Sequence, residues 1–343
     1  MDKIIPMDYK QAGVDIAAGE AAVKAIKAKV RTTFNSNVLS ELGSFGGLYK
    51  LDNAAWKTPI LVSSTDGVGT KLMIAIAAGI YDTVGQDLVN HCTNDILAQG
   101  AIPQFFLDYI GVGKLDPQVI EQIIDGFVVA CRANRCALIG GEMAEMPGLY
   151  SERDFDLAGT IVGLVEADQI LPRNICPGDI LIGLSSSGLH TNGYSLARKV
   201  LFERMKLRYD SYIDELGETL QAALLRVHNS YLDVLIPWLE HPGLHGLAHI
   251  TGGGIAGNLA RILPRDLQAI VNMPEEHIPP LFQLIGAGGK VERDVMRQTF
   301  NLGIGMICVI NPELADQFVK NINGRVIGEI VVGQPEQPRV IFS

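Results

Sequence analysis

Apolar positions along this chain recur in two periods. Short continuous runs suit buried strands, and longer stretches with apolar residues every three or four positions suit helices. Residues 59–64 (PILVSS) read as a strand, followed by TDGVGTK at 65–71 and an apolar helix-like run to Ala78. The pattern then predicts a helix over 82–99, a strand over 104–112, a helix over 117–134, a short strand over 137–139 opening into the loop GGEMAEMPG (140–148), and a strand over 157–165. Around 169–177 the chain turns polar, with Pro172 and Pro177, and the domain boundary is placed there, giving units 1–170 and 171–343. A second set follows: a strand over 179–184, the loop SSSGLHTNG (185–193), a helix to about Met205, and a mostly helical stretch over 206–247. HITGGG (249–254) opens a helix through Leu263. Beyond it come a strand at 268–272, a helix at 280–285, a strand at 303–310, a helix at 312–322 and a last strand at 326–332. Both halves mix strands and helices, so two domains of α+β or α/β class are expected.

Composition narrows the possible partners. Thirty-eight acids against 28 bases leave a formal charge of −10, and the pI is near 5.2. Such a field repels phosphate polymers, so neither nucleic acid nor an anionic membrane is an expected partner, and a small phosphate ligand needs local capture. The longest uncharged stretch, 241–260, carries three histidines and six glycines and is no membrane span. Charges at Asp2, Lys3, Lys10, Asp15 and Glu20 interrupt any signal-peptide core. Five scattered cysteines without a C-x-x-C pair read as reduced residues of a cytoplasmic protein, and zinc is not expected.

Several glycine-bearing loops could carry chemistry. In DGVGTK, Gly67 and Gly69 are one residue apart and Thr70 precedes Lys71, so a P-loop is excluded. What remains is a carboxylate at Asp66 able to hold Mg²⁺, two glycines, a hydroxyl and a cation able to neutralise phosphate, or else an Asp-Gly turn with a solvated lysine. On the helix over 82–99, Asp87, His91 and Asn94 or Asp95 share one face amid apolar neighbours; a buried polar stripe there must be satisfied by a partner or a metal. Glu142 and Glu145 follow a double glycine, so Asp66, Asp95 and Glu142 form a candidate metal set. His190 lies in a loop dense in hydrogen-bonding groups and is a candidate acid/base. The N–H groups of Thr251 to Gly254, at a helix start, suit a phosphate monoester, or else form a plain helix-entry turn. His241, His245 and His249 fall at metal-stripe spacing, but Pro242, Gly243 and Gly246 oppose a helix there.

Ten segments in order resemble the phosphoribosylformylglycinamidine cyclo-ligases, or AIR synthetases: YKQAGVD (9–15), FGGLY (45–49), DGVGTK (66–71), NDILAQGAIP (94–103), FFLDY (105–109), GGEMAEMPG (140–148), GLHTNGYSL (188–196), HITGGG (249–254), FNLGIGM (300–306) and IGEI (327–330). Met143 departs from the family's usual threonine in GGETAE. The resemblance implies a homodimer whose N-terminal sheets pair into a barrel, with a C-terminal α/β domain over the active cleft. It implies ATP- and Mg²⁺-dependent closure of formylglycinamidine ribonucleotide to aminoimidazole ribonucleotide, through phosphorylation of the formamide oxygen. In that setting Mg²⁺ is expected on Asp66, Asp95 and Glu142 beside Lys71. Nucleotide contacts are expected at Gly67, Gly69, Thr70, Lys71, Lys27, Gly46 and Gly47, and substrate contacts at Ser187, His190, Asn192, Thr251, Gly252, Gly253 and Gly254. His190, Lys71 and Asp108 are the expected catalytic groups. A selenophosphate synthetase, which usually needs a cysteine near its N-terminus, fits less well because no cysteine precedes Cys92. A thiamine-phosphate kinase would share the acidic loops, and a nucleotide-binding scaffold without turnover would keep them too.

Overall fold

The computed structural model describes residues 12–52, 54–334 and 336–343, so the first three residues of YKQAGVD lie outside it. Asp15 caps helix α1 (Ile16–Arg31) by accepting the Ala18 N–H at 3.1 Å, and Lys29 and Arg31 sit at the end of the helix where its dipole is negative. Beyond it come β1 (Pro59–Gly67), a 3₁₀ turn, α2 (Leu72–Ala78), α3 (Asp82–Leu97), β2 (Ile102–Val112), α4 (Pro117–Ala133), β3 (Ala137–Glu145) and β4 (Phe155–Glu166). The four strands form one sheet in the order β1-β4-β2-β3, antiparallel except for β2 and β3. A parallel pair needs a crossover, and α4 supplies it.

Helices α3 and α4 cover one face of this sheet and cross closely. A Cβ on Gly85 of α3 would run into the Ile123 carbonyl of α4, and one on Gly126 of α4 into the Asp82 carbonyl of α3. Phe106, Leu138, Leu157 and Ile161 are buried beneath these helices. On the outer face Phe105, Leu107 and Tyr109 are only partly covered, and Leu61 is 62% exposed.

The second half contains β5 (Ile180–Ser185), α5 (Tyr194–Arg198) running into a π-turn, β6 (Tyr212–Ile213), β7 (Glu218–Thr219), α6 (Leu220–Leu224), α7 (Leu232–Leu235), β8 (Leu244–His249), α8 (Gly254–Ile262), β9 (Leu267–Val271), α9 (Pro280–Gly289), α10 (Arg293–Thr299), β10 (Ile304–Ile310), α11 (Pro312–Ile322), β11 (Arg325–Val332) and β12 (Val340–Phe342). Six strands form a sheet in the order β12-β9-β11-β5-β10-β8, antiparallel except for β12 and β9. Mostly antiparallel pairing in both sheets decides for α+β over α/β. Every residue of β10 is buried, which explains its unbroken apolar run.

Three expectations need correction. GGEMAE is the continuation of β3 rather than a loop, because its backbone pairs with β2 as far as Glu145. Residues 206–247 are not mostly helical: a small hairpin and the short helices α6 and α7 occupy them, with Pro237 opposing extension of α7 and β8 beginning at Leu244. The chain also ends on a further strand, the short edge strand β12, which has too few residues to show a period.

Candidate active site between the two sheets

Helix α3 is the hinge of the site. Its polar stripe is buried, and its partner is the irregular segment 226–231 from the second half. That backbone lies outside any sheet ladder, so side chains of α3 satisfy it. Asp87 accepts the His228 N–H at 2.8 Å, Asn90 donates to the His228 carbonyl at 2.7 Å, and Asn94 donates to the Asn229 carbonyl at 2.7 Å while accepting the Tyr231 N–H at 3.0 Å. Lys71, wholly buried, pairs with Asp87 at 2.8 Å and donates to the Arg226 carbonyl at 2.7 Å. Burial drives the Lys71 pKa down and that of Asp87 up, each opposed by the other's charge.

These clips set the protons of a histidine cluster. The two bonds just described fix the Asn94 amide, so its second N–H points to His228 Nε2 at 3.2 Å and makes that nitrogen an acceptor. His228 then carries its proton on Nδ1, toward Thr191 Oγ1 at 3.4 Å. The Thr191 hydroxyl donates to His91 Nδ1 at 2.7 Å, leaving His91 Nε2–H for Asp66 at 2.9 Å. On the other side His228 Nε2 and His249 Nε2 stand 3.0 Å apart. His249 Nδ1 meets Asp95 at 2.8 Å, and Ser64 donates to the same carboxylate at 2.9 Å. Burial pushes Asp66 and Asp95 upward, but His91 and His249 outweigh it and hold both below the ordinary carboxylate range. Burial also opposes charge on His91, where Asp66 and Asp95 win and raise its pKa, and on His249, where burial wins and lowers it.

Both carboxylates open onto a cavity of about 450 Å³ between the halves. Gly67, Val68 and Gly69 line one wall; Thr191, Asn192, Thr251 and Gly252 line the opposite one, and Arg261 stands at the mouth. Arg261 also borders an adjoining cavity of about 280 Å³, and it forms no ion pair among the described residues. The buried Nδ2 of Asn192 has no hydrogen-bond partner among the described residues. At the start of α8, Gly253 and Gly254 take φ of 95° and 63°, and a Cβ on Gly254 would coincide with the Arg297 carbonyl. Only glycine fits there, where Thr251 and Gly252 of the cavity wall lead into α8.

The AIR synthase related protein N-terminal domain matches residues 51–165, and the corresponding C-terminal domain matches residues 176–341. Phosphoribosylformylglycinamidine cyclo-ligase of Alkaliphilus oremlandii (strain OhILAs) is 46% identical over 331 residues, covering 95% of this chain and 97% of the relative. The same-named protein of Geobacter sulfurreducens is 47% identical over 333 residues, covering 95% and 96%. The chain belongs to the phosphoribosylformylglycinamidine cyclo-ligase family. The fold is also shared with the hydrogenase maturation protein HypE in complex with ATP (TM-score 0.61, 17% identity, 93% of this chain and 90% of that one).

Set against the cyclo-ligase expectations, the structure gathers Asp66, Gly67, Gly69, Asn192, Thr251 and Gly252 around one cavity, with Asp95 beside Asp66. Gly253 and Gly254 follow directly as the entry to α8. Thr70 lies next to this wall, its hydroxyl 3.1 Å from that of Ser195. Other expectations are corrected. Lys71 cannot face phosphate from its present position, because burial leaves it no exposed atom and Asp87 holds its charge. Glu142 is not beside Asp66 and Asp95: within the chain it lines a separate cavity of about 130 Å³ with Asp108, Leu42 and Ser44. Asp108 is remote from the carboxylate pair for the same reason, and enclosure together with Glu142 raises its pKa to about 7. His190 is buried, stacked on His228 with centroids 3.9 Å apart; it accepts the Ser187 N–H, and its Nδ1 has no partner among the described residues. Ser187 spends its hydroxyl on the Val227 carbonyl. Lys27, on the outside of α1, pairs with Glu41 at 3.6 Å. Gly46 and Gly47 are exposed in the lead segment, the latter packed against Ile139. His228 and Arg261 are site residues that no sequence motif marks. His249 heads the HITGGG motif, yet in the sequence it stands out only by its spacing from His241 and His245.

Proposed function

We propose that this chain catalyses the ATP-dependent ring closure of formylglycinamidine ribonucleotide to 5-aminoimidazole ribonucleotide, with release of ADP and phosphate, in de novo purine biosynthesis. The observation that carries the reading is near-full-length identity of 46% to a protein named for this reaction, joined to a cavity lined by two carboxylates and by the residues that lead into α8. The formamide oxygen is a poor leaving group; phosphorylating it lets the amidine nitrogen of the same substrate attack the carbon and expel phosphate. Holding the two ends together is the main task of the walls, worth about 7 kcal/mol or more when alignment is good.

Asp66 and Asp95 offer hard oxygen donors, flank open space and suit Mg²⁺. Bound there, the ion supplies charge shielding for the phosphate oxygens. His91 and His249 orient the two carboxylates from behind. Arg261, the Asn192 amide and the backbone N–H groups entering α8 take the ribose phosphate, while Gly67, Gly69 and Thr70 form the nucleotide side. A shared fold with a protein solved with ATP supports ATP as the phosphoryl donor. His190 supports His228 rather than meeting substrate.

The working units are 1–170 and 171–343, and the active form is a homodimer in which the uncovered faces of two first sheets close into a barrel. The half-exposed apolar face bearing Leu61, Phe105 and Leu107 supports that pairing. The unpaired cysteines suit the reducing cytoplasm. The test measures ADP and the arylamine product with Mg²⁺ and ATP, with and without formylglycinamidine ribonucleotide. Equal, substrate-dependent amounts are expected; ATP bound with neither product formed would overturn the assignment.

A further inference from the structure

Strand β8 carries a second histidine, His245, four residues before His249 and outside the cavity described above. Its Nδ1 lies 2.8 Å from Oδ2 of Asp179, a fully buried carboxylate. The same oxygen accepts the Cys176 N–H at 2.9 Å, and the Cys176 thiol stands 3.6 Å from Oδ1. One donor atom from each of the three residues lies within 4.8 Å of the others. Backbone bonds hold the group from several sides: Asp179 N–H to the Cys176 carbonyl, Ile330 N–H to the Asp179 carbonyl, and Arg173 N–H to the His245 carbonyl. Cys176 is exposed, whereas the other four cysteines are buried.

A nucleophilic role for this thiol fits poorly. Its neighbour is a carboxylate, which together with desolvation raises the thiol pKa and disfavours the reactive thiolate. A divalent cation reverses that balance, since it binds thiolate, carboxylate and imidazole together. Bond lengths of about 2.0–2.3 Å to tetrahedral zinc imply donor separations of roughly 3.3–3.6 Å; the thiol already stands 3.6 Å from the Asp179 carboxylate, while the imidazole, at 2.8 Å, would have to draw back slightly to admit an ion. We propose that Cys176, Asp179 and His245 form a binding site for a zinc-class divalent cation, with water in the fourth position. Such an ion would staple the connection between the halves to β8. Cys-x-x-Cys arithmetic could not show it, because the ligands are Cys-x-x-Asp and a histidine 66 residues further on.

The full chain, stripped with a chelator, is titrated with Co²⁺ while the near-ultraviolet thiolate-to-cobalt absorption is followed. The expected result is a band that saturates at one ion per chain, is bleached by Zn²⁺, and vanishes in Cys176→Ser, a variant that keeps its circular dichroism and ring-closing turnover. His245→Gln should weaken the band at equal Co²⁺. Cobalt at Asp66 and Asp95 gives no thiolate band, so that site does not interfere. Absence of the band from the unmodified chain, or its survival in Cys176→Ser, would overturn the proposal.

Discussion

Among single residues, the decisive ones are carboxylates whose surroundings differ. Asp95 is held ionised by His249 and Ser64 at the edge of the cavity, so Asp95→Ala should lower turnover by on the order of 100-fold or more, as expected when stabilisation of transferring phosphoryl charge is lost, and should weaken its Mg²⁺ dependence. Steady-state kinetics against Mg²⁺ concentration checks both; unchanged values would remove Asp95 from the site. Asp108 behaves oppositely. Its folded pKa is raised from 3.8 to about 7, so between those values the native chain holds a proton that the unfolded chain releases. Stability attributable to Asp108 therefore falls as pH rises through this window, by at most about 4 kcal/mol at about 1.4 kcal/mol for each pH unit. Asp108→Asn should raise the denaturation midpoint at pH 8 relative to the unmodified chain and change it little at pH 4. Asp66 was legible in the sequence as a carboxylate in a glycine-bearing loop at a strand end, and Asp95 as part of a polar stripe on a helix with apolar neighbours. Arg261 was not, because an arginine late in a helix looks like any solvated charge until the other half of the cavity is in place.

Helix α3 shows what an element's pattern can and cannot convey. Its polar stripe is visible in the sequence, as is the need for a partner. The partner itself is not, because it is an irregular segment more than 130 residues away that has no periodicity of its own. The stretch 206–247 reads as helical because its apolar residues fall in short helical turns, α6 and α7, but the irregular segment 226–231 separates them. The buried Lys71–Asp87 pair is part of this clip. Lys71→Met should cost about 3–5 kcal/mol in urea unfolding, because Asp87 would remain buried and unpaired. Adding Asp87→Asn should recover part of that loss, since a neutral amide is cheaper to bury and its oxygen still accepts the His228 N–H. A double variant no more stable than the single one would mean that the pair acts through geometry alone.

At the scale of the whole molecule, the two sheets differ in how their faces are used. The second sheet buries its strand β10 on both sides, whereas the first has helices on one face and a half-covered apolar surface on the other. Such a surface is costly to leave in water, at about 25 cal/mol for each Å² of apolar area, and it does not line the Asp66 cavity. That asymmetry supports the proposed barrel, since two copies pairing these faces would remove the exposure of both. Leu61→Arg places a charge on that half-covered face, on the edge strand β1, away from the residues that line the Asp66 cavity. Sedimentation equilibrium should show the unmodified chain as a dimer and Leu61→Arg shifted at least tenfold toward monomer at equal concentration, the penalty of about 1.4 kcal/mol expected even for a partly solvated interfacial charge. If activity falls in step with the dimer fraction, and rises again with protein concentration, assembly is needed for turnover. A Leu61→Arg chain that is monomeric and fully active would show that each chain carries a complete site, and a chain that remains dimeric would place the contact on another face.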